Sequence, residues 1–179
     1  PLGTYGDGGM VFTDDADMLD KLLSIRVHGQ GSDKYNNIRI GINGRLDTLM
    51  AAILLPKADI FEEEIGLRQN VANRYNDLLE NVVKTPYVKD HNVSAWAQYS
   101  ILHPNREQVM AGLKEEGIPT AVYYPKPLHL QDAFSGLGYA YGDMPVSEAV
   151  AKEIFSIPMH PYLKESDQVK IADAIRKYA

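Results

Sequence analysis

Apolar residues recur at helical spacing through the first 81 positions, and beyond them short alternating runs interleave with helices. Met10-Val11-Phe12-Thr13 reads as a strand. Asp17 to Ile25 follows as a short helix with Met18, Leu22 and Ile25 inward. Thr13, Asp14 and Asp15 are its candidate caps, and Gly29 and Gly31 punctuate its end. Ile38-Arg39-Ile40 is a brief extended piece. From Asp47 toward Asn81 the spacing of Leu49, Met50, Ile53, Leu54, Phe61, Ile65, Val71, Tyr75, Leu78 and Leu79 predicts one long helical segment. Pro56 lies inside it, removing a helical hydrogen bond and crowding the preceding turn, so a kink or break near Leu55 is expected.

After residue 81, Val82-Val83-Lys84 reads as a short strand and Ala95 to Leu102 as a half-buried one. Asn105 caps a helix from Arg106 to Glu116 that Gly117 ends. Thr120 to Tyr124 is a third strand, stopped by Pro125 and Pro127. Ser147 to Ile154 and Ser166 to Tyr178 are amphipathic helices headed by serine caps, and Ile157 to Pro161 is a proline-stiffened connector. This second part reads as an α+β layer of a few antiparallel strands carrying helices.

Composition narrows the function. The net charge of −6, with basic residues scattered among acids, argues against a nucleic-acid surface. With no cysteine, thiolate metal sites and cysteine nucleophiles are excluded. The 5 histidines have no helical or hairpin metal spacing, and no serine stands in a nucleophile elbow. The longest apolar run, Leu49 to Leu55, is too short to span a bilayer, and no secretory leader is seen. A cytoplasmic protein without a membrane span is expected.

Three stretches carry candidate chemistry. Ile40-Gly41-Ile42-Asn43-Gly44-Arg45-Leu46-Asp47-Thr48 puts an amide and a guanidinium on a glycine-bracketed turn at the mouth of the long helix. Positions 41 and 44 permit positive φ and close backbone approach, with Asp47 as a helix cap. Such a turn suits an anion, since arginine recognises phosphate or carboxylate in bidentate fashion. A turn whose polar side chains cap backbone groups accounts for the same residues. Pro1 to Gly9 holds four glycines in nine residues but fits neither the P-loop nor the Rossmann pattern. Tyr123-Tyr124-Pro125-Lys126-Pro127-Leu128-His129 sets phenols and an imidazole on a stiff turn, and Ser156 to Tyr162 is similar. Alone, each is more often a packed turn with a satisfied tyrosine or histidine.

Taken together, PLGTYGDGG (1–9), RVHGQG (26–31), GINGRLDT with AAIL (41–48, 51–54), WAQYS (96–100), GIPTAVYYPKPLHLQ (117–131) and SIPMHPYL (156–163) resemble the nucleotide-sugar aminotransferases of the DegT/StrS type. These belong to the aspartate-aminotransferase superfamily, and the resemblance covers essentially the whole chain. It looks closest to the branch acting on UDP-linked 3-keto-N-acetylhexosaminuronic acids. The fold implied is α/β, the C-terminal part of a fold-type I pyridoxal-phosphate-dependent transferase. Residues 1–55 would end the large cofactor domain, 56–81 form a bridging helix, and 82–179 make a small α+β domain. The activity implied is ping-pong transamination with pyridoxal 5'-phosphate as cofactor. Glutamate gives its amino group, which passes to a keto-sugar for bacterial surface polysaccharide.

The resemblance also implies roles by position. Asn43 reaches the cofactor phosphate of the neighbouring subunit of a homodimer, and Gly8 and Gly9 shape the loop beside the cofactor. Arg45 meets the nucleotide diphosphate or the donor carboxylate, and Tyr124 and His129 contact the sugar nucleotide. The Schiff-base lysine is expected immediately before Pro1, in a polypeptide continuing upstream, so no catalytic residue is assigned within the chain. A homologue that binds cofactor or sugar nucleotide as a sensor, and an aminotransferase-fold dehydratase lacking the lysine, are the alternatives. The residue before Pro1 separates them.

Overall fold

A computed structural model describes residues 2–179, so the junction before Pro1 lies outside the described residues. The chain forms two compact units, Leu2–Phe61 and Glu62–Ala179.

In the first unit, α1 (Ala16–Arg26) starts where Asp15 accepts from the Met18 N–H at 3.0 Å, satisfying one orphan donor of the first turn. Met18 and Ile25, expected inward, are exposed, and Leu22 is half-buried. Met10 to Thr13 makes no strand: no ladder partner for it exists among the described residues, and period-two alternation cannot create one. α2 (Thr48–Asp59) continues through Pro56, so the long segment does not break near Leu55, and its division falls at Ile60. Proline removes one hydrogen bond there without forcing the following residues out of helical geometry. Only Ser24 and Gly29 of this unit are buried, while Phe12, Ile40, Leu49 and Leu55 stand well exposed.

The second unit has a closed core. α3 (Phe61–Leu79) buries Val71, Ala72, Tyr75 and Leu79, one helical face. α4 (Arg106–Glu115) adds Val109 and Leu113, and α6 (Glu165–Tyr178) adds Ile171, Ala172, Ala174 and Ile175. The same core takes in an antiparallel pair, β1 (Tyr99–Leu102) and β2 (Ile154–Ile157), with Tyr99 opposite Ile157 and Leu102 opposite Ile154. β2 was not expected, its residues reading as a helix end and a connector. Pairing with β1 decides its state, which no local pattern encodes. The strands expected at 82–84 and 120–124 shrink to single bridges, Lys84 with Leu102 and Ala121 with Ser156, flanking the pair on either side. Pro86, Pro119 and Pro125 cannot donate to a ladder, which confines both.

α5 (Pro145–Glu153) begins two residues before the expected Ser147, with proline at its first position, and α6 is capped by Lys164, not Ser166. Gly117, at φ +73°, ends α4 as expected.

Candidate functional site

The turn bearing Asn43 and Arg45 is fixed by backbone. Ile42 N–H donates to Ile25 O, His28 N–H to Ile42 O, and Gly44 N–H to Arg26 O, each at 2.9 Å. The segment 41–44 is thereby laced to the end of α1. Neither Gly41 nor Gly44 is left-handed; His28 (φ +59°) and Gly29 (φ +75°) take that conformation instead. What position 41 requires is room. A Cβ there would lie 2.1 Å from Gly29 N and 2.6 Å from Ile25 O, and one at Gly29 only 1.8 Å from Arg39 O. Buried Ser24, which sequence reasoning passed over, closes the knot by donating from Oγ to Gln30 O at 2.7 Å and accepting at its carbonyl the Gly29 N–H.

Asn43 and Arg45 emerge from this knot exposed, and neither side chain has a hydrogen-bond partner among the described residues. The turn is rigid while its donors are free, which fits a phosphoryl or carboxylate ligand and disfavours the backbone-capping alternative. Asp47 caps α2 by position only, without a side-chain hydrogen bond.

The glycine-rich segment runs beside Leu46 and α2. Positions 8, 6 and 3 approach Leu46, Met50 and Lys57, and these recur at helical spacing. Gly8 is in contact range of Thr4 and Leu46, whereas a Cβ at Gly9 would meet nothing within 4 Å. Gly9 borders an apolar groove of about 470 Å³ whose walls include Met10, Leu22, Ile42 and Leu46.

In the second unit, Tyr124 and His129 line one groove of about 440 Å³ with Leu128, Met144 and Ile154. Tyr124 is exposed, and the His129 imidazole is nearly buried, its Nε2 3.0 Å from Glu148 Oε1. Glu148, on α5, is 4% exposed and also accepts from the Gly142 N–H on both oxygens, at 2.9 and 3.0 Å, and from the Met144 N–H at 3.3 Å. Burial alone would raise its pKa; donation from Gly142, His129 and Met144 outweighs burial and holds the carboxyl below its ordinary value. Glu148 is therefore an anion at neutral pH, and the His129 nitrogen facing it carries a proton. The sequence reading missed this residue. Its one signal was a glutamate in the first turn of a helix opened by proline, able to reach back to the N-cap N–H.

Residues 1–176 match the DegT/DnrJ/EryC1/StrS aminotransferase family. The chain belongs to that family. It is 48% identical over 172 residues, 96% of its length, to the UDP-2-acetamido-2-deoxy-3-oxo-D-glucuronate aminotransferase of Pseudomonas aeruginosa, covering 46% of that protein. Identity is 42% to the pleiotropic regulatory protein of Geobacillus stearothermophilus, over 99% of this chain and 48% of that one. Among solved structures, a DegT/DnrJ/EryC1/StrS aminotransferase from Brucella abortus superposes with a TM-score of 0.92 at 52% identity, across 99% of this chain and 48% of its own. The chain thus spans about half the length of the DegT-family relatives it matches, and its fold is the corresponding part of the α/β transferase fold. No helix among the described residues is long and apolar enough to cross a membrane.

Proposed function

We propose that these residues form the C-terminal half of a pyridoxal-phosphate-dependent aminotransferase that moves an amino group from glutamate to a UDP-linked 3-keto-N-acetylhexosaminuronic acid, in surface-polysaccharide sugar synthesis. The observation that carries this reading is the backbone-laced turn holding two unpartnered anion donors, Asn43 and Arg45. The name of the Pseudomonas aeruginosa relative supports the choice of sugar. The bare apolar side chains of the first unit support its packing against further structure of a larger domain.

Bound pyridoxal phosphate supplies the electron sink for transamination. Asn43 and Arg45 suit its phosphate and the anionic substrates: the amide is a neutral donor to the cofactor phosphate of the neighbouring subunit. The guanidinium pairs with the diphosphate or the donor carboxylate. Gly8 and Gly9 keep the loop beside the cofactor free of side chains. Tyr124 and His129 orient the sugar nucleotide from the second unit. Because the turn is fixed before any ligand arrives, little ordering cost falls on binding.

The name of the Geobacillus relative favours a second reading, a regulatory protein that binds cofactor or sugar nucleotide without turnover. One experiment divides them. Full-length protein loaded with pyridoxal phosphate should lose its visible absorbance on adding glutamate, and then transfer the amino group to the UDP-linked 3-keto acid in preference to dTDP-linked 4-keto sugars. No spectral change with glutamate overturns the enzyme reading.

A further inference from the structure

The Tyr124 groove is walled by pieces that do not adjoin in sequence, and one side chain holds them. Its lining includes Tyr124, Leu128 and His129 from one turn, Met144 from a second segment and Ile154 beyond α5. Glu148 is not in that lining. It stands behind it, nearly buried, with His129 on one oxygen and the Gly142 and Met144 N–H groups around the carboxylate. The three segments so joined are the 128–130 turn, the 142–144 backbone and α5 itself.

We propose that Glu148 is a positioning residue for nucleotide-sugar recognition: its carboxylate fixes the His129 imidazole and the 142–144 backbone, and so presets the groove that carries Tyr124. This rests on the reading that the groove takes the sugar nucleotide. A fold that needed only cohesion here would be served at lower desolvation cost by an apolar side chain, because a buried carboxylate is tolerable only when its acceptor sites are filled. Here two of the three filling residues, His129 and Met144, belong to the groove wall, and Gly142 adjoins the second of them in the chain. The arrangement also makes Nε2 the His129 nitrogen that donates to Glu148, which orients the ring.

The test uses full-length, cofactor-loaded protein, with the stable non-keto analogue UDP-2-acetamido-2-deoxyglucuronic acid as probe by calorimetry, and steady-state transfer to the 3-keto substrate alongside. Glu148→Ala should weaken analogue binding and raise KM for the 3-keto sugar by about tenfold, the scale of leaving charged hydrogen-bond partners unfilled. The rate at which glutamate bleaches the bound cofactor should stay within about twofold of wild type, since the amino donor makes no demand on this groove. Glu148→Gln keeps the shape and one acceptor oxygen, and should recover part of the loss, leaving a deficit of about threefold. Wild-type affinity and KM in Glu148→Gln, or a fall in the glutamate step parallel to the loss of sugar binding, overturns the inference. So does a wild-type protein that binds no analogue. If Glu148→Ala does not fold, Glu148→Gln alone decides. A wild type that binds the analogue but ignores glutamate sinks the enzyme reading and leaves this one standing on the binding data.

Discussion

Substituting Gly41 by alanine separates the cost of folding the turn proposed to bind anions from the cost of misplacing it. The new Cβ would sit 2.1 Å from Gly29 N, 2.4 Å from His28 C and 2.6 Å from Ile25 O, all main-chain atoms, where ordinary contact begins at 3.4 Å. The segment must withdraw from the end of α1 by more than an ångström, and the bonds at risk are Ile42 N–H to Ile25 O and His28 N–H to Ile42 O. Each is worth about 1 kcal/mol net, and residues 41–44 lie near solvent, so water replaces part of the loss. Overpacking of this kind costs about 1–3 kcal/mol in total, a tolerable fraction of a domain's stability. The functional cost is larger, because donors displaced by about 1 Å forfeit on the order of a hundredfold in productive geometry. The assay pairs thermal unfolding with titration of pyridoxal phosphate into the apo full-length protein and with the glutamate step. Gly66→Ala is the control, lying within α3 where a Cβ meets nothing within 4 Å, so helix propensity gives a gain of about 0.5–1 kcal/mol. A Gly41→Ala protein with wild-type cofactor affinity and wild-type glutamate kinetics would refute the claim that this lacing positions Asn43 and Arg45.

Two further outcomes follow from the second unit. Gly112 of α4 faces the Tyr178 ring, whose carbons would lie 2.3–2.5 Å from an alanine Cβ, so Gly112→Ala should cost about 1–3 kcal/mol and lower Tm by roughly 3–8 °C. The double substitution with Tyr178→Ala should be less destabilised than the sum of the two singles, and strict additivity would contradict the clash. Tyr75 and Tyr99 both have pKa values well above the ordinary 10, burial being the main cause, with Asp167 and each other's proximity adding for Tyr75 and Asp77 for Tyr99. The folded state therefore holds protons that the unfolded chain gives up above pH 10, so stability is fully present below pH 10 and falls as pH rises past it. An alkaline absorbance titration should show these two of the 11 tyrosines ionising only with unfolding; their titration at pH 10 in folded protein would contradict the burial argument.

What the sequence makes legible here depends on how far away the deciding partner lies. α1, α4 and α6 are read within a residue or two because periodicity, the Asp15 cap of α1 and Gly117 after α4 are local signals. Met10 to Thr13 and Ile154–Ile157 are misread in opposite directions for one reason: a strand exists only where another backbone offers its N–H and C=O groups. The first segment finds none among the described residues, while the second finds β1 more than fifty positions earlier. The candidate site divides the same way. Glycines at 41 and 29 advertise a demand for space, and the sequence marks that demand without saying which backbone makes it. Arg45 and Asn43 stand out because nothing near them in sequence consumes their donors, and nothing near them in space does either. Glu148 gives the reverse case: on an amphipathic helix it looks like solvated charge, and only its contact with His129, nineteen positions away, turns it into the anchor of a groove wall. A carboxylate is inexpensive at the surface and costly where this one sits, so the fold can keep it there only while His129, Gly142 and Met144 keep their hydrogen bonds to it. The groove that carries Tyr124 and the loop that carries Gly142 are thus parts of one electrostatic unit, and a change at either should register at the other.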